Sequence, residues 1–306
     1  MIVVLTGATG FIGRTLAARL ASAGHALRAL TRDPAAARAR LPPGCALFPW
    51  SEGGPVPDAA LEGADAVIHL AGESIAGGRW TASRKERIRA SRTGSARALK
   101  DAMGRLASRP KVFLAASGAG YYGDAGDRTL AEDAPPGSDF LAQVCRDWEA
   151  EALGAEALGA RAAVLRLGLV LGRGGVLSKL APLYRLGGGA VLGSGRQWWS
   201  WIQVDDAAGL FAHALGEPSL RGPVNAVAGA LPQREFARAL GAALRRPVLL
   251  RAPAFALELA LGEMASSLLA SQRAAPAKAL ASGYRFGYPG IGEALRAALA
   301  REAPGR

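Results

Sequence analysis

The sequence predicts an α/β fold, a doubly wound parallel sheet with a smaller, mostly helical C-terminal lobe. Three observations predict it. The short apolar runs lack two-residue alternation, as strands buried on both faces do. Helix-period stretches separate them, as crossovers between parallel strands require. Three glycines stand where the first run meets the first helical stretch. A length of 306 residues suits one large domain with a smaller lobe.

Ile2–Leu5 reads as the first strand. A helix follows with Ile12, Leu16 and Leu20 on one stripe, ending at Gly24. Ala26–Leu30 is the second strand, and Asp65–Leu70 is an apolar run closed by Ala71-Gly72. Ser83–Met103 is a long helix, Lys111–Ala116 a buried strand, Trp148–Leu158 a helix and Ala162–Leu167 a strand. Beyond residue 170 the texture changes, and Gly172-Arg173-Gly174-Gly175 and Gly187-Gly188-Gly189 are loop material. Trp201–Val204 returns to strand character. Asp205 is read as the cap of a helix over Asp206–Leu215, and Pro223–Val227 as the last strand. From Arg234 the chain reads as helical, broken at Pro247, Pro253, Pro276 and Pro289.

Composition excludes several classes. Hydrophobic residues make up 50% and charged residues 20%, which excludes wholesale disorder. No apolar run reaches the roughly 18 residues of a membrane span. The first residues read as a strand and not as a signal peptide, so the expected location is the cytoplasm. Cys45, Cys145 and three histidines offer no metal-ligand spacing, so no metal is expected. The net charge of +12 suggests an anionic partner, yet only five of the 37 cations are lysine and no run of them occurs. Scattered arginine reads as the mark of a GC-rich genome, and nucleic acid is not expected.

Gly7, Gly10 and Gly13 form G-x-x-G-x-x-G between the first strand and the first helix. In that context Gly7 permits a tight turn, Gly10 lets the backbone approach a pyrophosphate, and Gly13 lets the helix pack against the strand. The helix N-terminus then presents N–H groups to the anion. A dinucleotide and a Rossmann-type domain are the expectation. The end of the second strand selects the cofactor. Thr31 is followed by Arg32, which can grip a 2′-phosphate, so NADP (NADPH) is favoured. Asp33 keeps NAD open, its other role being a turn residue before Pro34.

Thr6–Gly13, Val67–Gly72 and Val112–Gly123 together resemble the extended short-chain dehydrogenase/reductases. Ala71-Gly72-Glu73-Ser74-Ile75, Arg79-Trp80, Lys85-Glu86-Arg87 and Ser91-Arg92 are similar to one atypical branch. So are Gly120-Tyr121-Tyr122-Gly123-Asp124, Trp148-Glu149, Trp201–Asp206, Gly262-Glu263 and Ser271-Gln272-Arg273. That branch is the NAD-dependent epimerase/dehydratase-like, or cell-division-inhibitor-like, family with a C-terminal domain of unknown function. The resemblance implies a Rossmann domain over residues 1–228 and a family-specific C-terminal domain over 248–300 that contributes to a substrate lobe. It implies that Gly7, Thr9, Gly10, Phe11, Ile12 and Gly13 form the phosphate loop. Thr31 and Arg32 would meet the adenosine end, and Leu70, Ala71 and Gly72 would line the adenine–ribose path. Arg87 and Arg92 would sit in the cofactor cleft and Leu169 near the nicotinamide. The other reading of Arg87 and Arg92 is a solvated helix face.

An active short-chain reductase uses a tyrosine acid, a lysine four residues on, and a serine that holds the carbonyl. No Y-x-x-x-K occurs, and the expected segment Asp139–Asp147 has neither Tyr nor Lys. Ser117 stands near the serine position, although an ungapped match falls on Gly118. Ser91 is nearest to the usual helix asparagine. Tyr121, Tyr122 and Glu73 are the candidate substitute acids, each with a bland reading as packing or loop residue. Cys145 reads as a buried helix residue. Trp198, Trp199 and Trp201 read as filling a junction between lobes, with a pocket wall as the other option. Two functions follow: an NADP-dependent oxidoreductase or epimerase on a small, sugar-like substrate, or a catalytically silent NADP-binding redox sensor or cell-division regulator. The expected partner is a small molecule, with no membrane and with a homodimer left open.

Overall fold

The computed structural model describes residues 1–300. Seven strands form the central sheet: β1 (Ile2–Thr6), β2 (Ala26–Thr31), β3 (Ala46–Pro49), β4 (Ala66–His69), β5 (Val112–Gly118), β6 (Arg161–Leu167) and β7 (Gly222–Ala226). Their order is β7-β6-β5-β4-β1-β2-β3, and every neighbouring pair is parallel. The winding direction reverses between β1 and β4. The crevice outside the C-terminal ends of those two strands is therefore the topological switch point, where such sheets bind ligands.

The absence of alternation has a direct cause. Val3 and Leu5 face one core, with Leu16 and Leu20 of the helix Phe11–Ser22 and Phe211 of the helix Val204–Gly216. Val4 faces the opposite core, with Leu99 and Met103 of the helix Ala82–Arg105. Both faces of β1 are covered, so the run Ile2–Leu5 is apolar without alternation.

The structure corrects several boundaries. β3 and the helix Pro34–Arg38 were not legible, because β3 is a short, partly exposed edge strand ending in proline. The helix read from Trp148 begins at Phe140. Asp139 caps it by accepting from the Ala142 N–H at 2.9 Å, and a 3₁₀ turn carries the chain from Gly154 to Leu158. The helix read over Asp206–Leu215 begins at Val204, and Gln203 caps it by accepting from the Asp205 N–H, so Asp205 is not the cap.

A second lobe surrounds a three-stranded sheet of Leu169–Leu171, Trp198–Gln203 and Gly229–Pro232. Its core holds Leu171, Trp199, Trp201, Phe236, Leu240 and Leu295. Trp199 and Trp201 thus fill the lobe's interior instead of walling a pocket. Trp198 lies outside it, donating to Asp127 at 2.9 Å with Arg273 over its ring. The chain then returns to the main domain. Arg273–Ala274 pairs with Thr129–Leu130, which stitches the C-terminal segment to the loop after β5. Among the described residues no helix is long and apolar enough to cross a membrane.

Candidate cofactor cleft and active site

The glycine loop is built as its sequence requires. Gly7 has φ +67°, and a Cβ there would lie 2.8 Å from the Ala71 nitrogen at the end of β4. A Cβ on Gly13 would lie 2.1 Å from the Gly7 carbonyl oxygen, so only glycine lets the helix start this close to the loop. Gly10 differs. It is exposed, and a Cβ there would meet only the loop's own Gly7, with its oxygen at 3.0 Å. No side chain caps the helix Phe11–Ser22, so its first N–H groups face the open side of Gly10. Ala8 is buried behind the loop, while Thr9 and Ile12 are half-exposed beside it. The Phe11 ring turns away to pack on the Gly172–Gly175 loop, where a Cβ on Gly172 would come within 2.6 Å of it. This cradle, with glycine at each close approach and the open face at Gly10, fits a pyrophosphate.

At the end of β2 the two candidate residues part. Asp33 accepts from the Ala36 N–H at 2.9 Å and caps the helix Pro34–Arg38. Its carboxylate is therefore a helix cap. Arg32 is exposed, and Thr31 is half-buried with its hydroxyl accepting from the Asp33 N–H.

Beneath the loop, Thr6 and His69 are fully buried, with Thr6 Oγ1 2.7 Å from His69 Nδ1. Thr6 Oγ1 also accepts from the Ala71 N–H at 3.2 Å, which ties the pair to the chain just past β4. Burial pulls the His69 pKa down to about 4 and keeps the ring neutral. This pair pins the end of β4 to β1, which places Leu70, Ala71 and Gly72 at the rim of the crevice.

Arg92 folds in over that rim. A Cβ on Gly72 would lie 3.2 Å from its Cζ, and its guanidinium stacks on Trp148 at 5.4 Å. Its Nη1 donates to the Ile88 carbonyl at 3.1 Å. Burial pulls its pKa below the usual arginine range, yet no carboxylate of a described residue pairs with it. Arg87 is exposed, about 140° around the same helix from Arg92, so the structure does not bring the two together. Glu73 is half-buried and ion-paired with Arg84 at 3.5 Å, its N–H held by Ser91 Oγ at 3.0 Å.

At the C-terminal end of β5 lies a buried polar network that sequence reasoning missed. Ser117 Oγ donates to Glu149 Oε1 at 2.6 Å. Arg166 grips the same carboxylate with Nε at 2.9 Å and Nη2 at 2.8 Å. Its Nη1 donates to the Tyr122 hydroxyl at 3.0 Å, and Tyr122 donates onward, with Asn225 Oδ1 at 2.7 Å. Burial raises the Tyr122 pKa, and its side chain is enclosed. The signal was present in the sequence. Cys145, Glu149 and Ala152 share one buried helix stripe, and a carboxylate in such a stripe demands a partner. Cys145 is buried beside them, its thiol pushed up to about 11 by burial and then by the Glu149 charge, so it is no nucleophile. Tyr121 is half-buried, with the Arg166 guanidinium 3.4 Å from its ring centre. Leu169 opens the short strand of the second lobe and pairs in register with Trp201. Among the described residues no cluster of His, Cys, Asp and Glu could hold a metal ion.

The model of a domain of unknown function, DUF1731, matches residues 252–298. The chain is 39% identical over 307 residues to the chloroplastic epimerase family protein SDR39U1 homolog of Arabidopsis thaliana, covering 98% of this chain and 87% of that one. It is 35% identical over 302 residues to the epimerase family protein YfhF of Bacillus subtilis, covering 98% of each. The crystal structure of human epimerase family protein SDR39U1 with NADPH superposes with a TM-score of 0.84 at 31% identity, over 97% of this chain and 99% of that one. A nucleoside-diphosphate sugar epimerase from Corynebacterium glutamicum gives a TM-score of 0.78 at 34% identity, over 98% of this chain and 58% of that one. The model described as the NAD dependent epimerase/dehydratase family matches residues 3–227, and the chain belongs to that family.

Proposed function

We propose that the chain binds NADPH across the switch point and acts as an NADP-dependent oxidoreductase or epimerase on a small, sugar-like substrate in the cytoplasm. The open face of Gly10, backed by two glycines that admit no side chain, carries this reading. Arg32, exposed at the end of β2, would grip a 2′-phosphate, and Asp33 is committed to its helix cap. The human relative crystallised with NADPH supports the cofactor, and the sugar-nucleotide epimerase relative supports the substrate class. Thr31 and Arg32 would hold the adenosine end, Leu70, Ala71 and Gly72 its path, Arg92 the nearby anionic groups and Leu169 the nicotinamide end.

NADPH supplies a hydride when bound; the chain's own task is to handle the proton. Ser117 has one proton, and Glu149 holds it. Ser117 therefore cannot also donate to a substrate carbonyl, the role expected from its position. Tyr122 is likewise committed. Tyr121 remains. Its hydroxyl makes no hydrogen bond to a described residue, and we assign it the proton transfer, with Glu73 as the second candidate. The test is a carbonyl-substrate screen by NADPH oxidation, repeated with Tyr121→Phe. A loss of about 10²–10⁴-fold supports the assignment, and unchanged turnover removes it.

The commitment of the Ser117 proton also favours a second reading, a silent NADPH-binding sensor or cell-division regulator. It expects tight NADPH binding with no oxidation by any substrate.

A further inference from the structure

We propose that one basic, apolar face of the C-terminal lobe docks on an anionic lipid bilayer surface. The helix Ala254–Leu261 buries none of its residues. Phe255 is 71% and Leu259 77% exposed, one turn apart. Just before them, Leu249 is 82% and Leu250 52% exposed. The strand Leu250–Ala252 pairs in parallel with Ala190–Leu192, which brings in the segment with Leu183 and Leu186. Six of the nine exposed large apolar side chains among the described residues lie on these two segments. Scattered exposed leucines are ordinary, but such a concentration marks a contact surface.

Charge selects the occupant. Residues 177–192 and 245–261 carry Lys179, Arg185, Arg245, Arg246 and Arg251 against a single acid, Glu258. Those four arginines are all exposed. A second copy seated on this face would set like charge against like. An anionic bilayer satisfies both features, because the apolar side chains enter the headgroup boundary while the arginines meet lipid phosphates. Peripheral docking needs no spanning helix, so it is compatible with the absence of one among the described residues.

The face is also tied to the cleft. Arg79 Nη1 donates to the Leu259 carbonyl at 3.0 Å, and Lys179 donates to the Ala76 carbonyl. Both partners lie on the loop that begins at Gly72, beside Arg92. Docking would set the mouth of the cleft at the lipid surface. This inference does not depend on the identity of the cofactor.

The test is co-flotation of the whole chain with vesicles of phosphatidylcholine alone and of equal parts phosphatidylcholine and phosphatidylglycerol. Binding is expected only to the second, and high salt should release it. Arg246→Ala and Arg251→Ala should each weaken it about fivefold. Phe255→Asp with Leu259→Asp should abolish it, and an unchanged unfolding midpoint shows that the variant folds. Absence of flotation with the anionic vesicles, or equal flotation with both kinds, would overturn the proposal. A concentration-dependent dimer that the Phe255/Leu259 variant dissolves, without vesicle binding, would overturn it in favour of a second copy.

Discussion

Ser117 gives its only proton to Glu149 across 2.6 Å, in the interior of the protein, where the dehydrogenase pattern would leave a serine free to hold a carbonyl. The receiving carboxylate is the counter-ion of Arg166, and the pair is almost fully enclosed. The residue at the expected place thus joins the hydrogen-bond network of that ion pair.

That arrangement predicts an asymmetry in stability. Glu149→Gln removes the counter-ion of a buried guanidinium and is expected to cost about 3–5 kcal/mol. Ser117→Ala leaves the ion pair intact and should cost about 1–2 kcal/mol. Urea unfolding of the two variants measures both, and equal losses would contradict the network as described.

The glycines of the loop should separate fold from binding. Gly13→Ala forces a Cβ against the Gly7 carbonyl and is expected to destabilise the chain by several kcal/mol, of the order of other overpacked sites. Gly10→Ala meets only a 3.0 Å contact within the loop, so the fold should survive while the methyl group obstructs the pyrophosphate. Thermal melts alongside NADPH titration distinguish the two effects.

Cofactor selectivity should reside in Arg32. A charge-assisted contact to a 2′-phosphate is worth about 1.5–3 kcal/mol, so Arg32→Ala should lower NADPH affinity roughly ten- to a hundredfold and leave NADH affinity unchanged. Asp33→Ala should instead cost stability, about 1 kcal/mol for a lost cap, and leave the preference intact. Calorimetric titration with both dinucleotides checks the pair.

His69 makes stability depend on pH. Its folded pKa is about 4, below the ordinary 6.5, so the unfolded chain binds the proton more readily. The stability it contributes is complete above about pH 6.5 and is lost as pH falls toward 4. About 2 kcal/mol should disappear between pH 7 and pH 5. Denaturant unfolding at the two pH values, compared with His69→Asn, isolates this contribution from the carboxylates.

The legible parts of this protein were local ones. The unalternating run of β1 and the glycines after it need only the chemistry of neighbouring residues, because Val3, Val4 and Leu5 are covered on both faces of the sheet and Gly7 and Gly13 admit no side chain. The edge strand β3 escaped because four partly exposed residues carry no periodicity. The start of the helix at Phe140 escaped because its cap, Asp139, follows an irregular loop with no change of period.

The sequence by itself determined the parallel sheet, the phosphate loop and the absence of a tyrosine–lysine pair, since each is a property of residues close together in the chain. Only the tertiary structure decided what the candidate acids do. Ser117, Glu149, Arg166 and Asn225 come from β5, a helix, β6 and β7, and no local pattern relates them. Their protons are directed by partners tens of residues away. Whether a hydroxyl can serve a substrate depends on where its hydrogen already points, and that is set by packing in three dimensions.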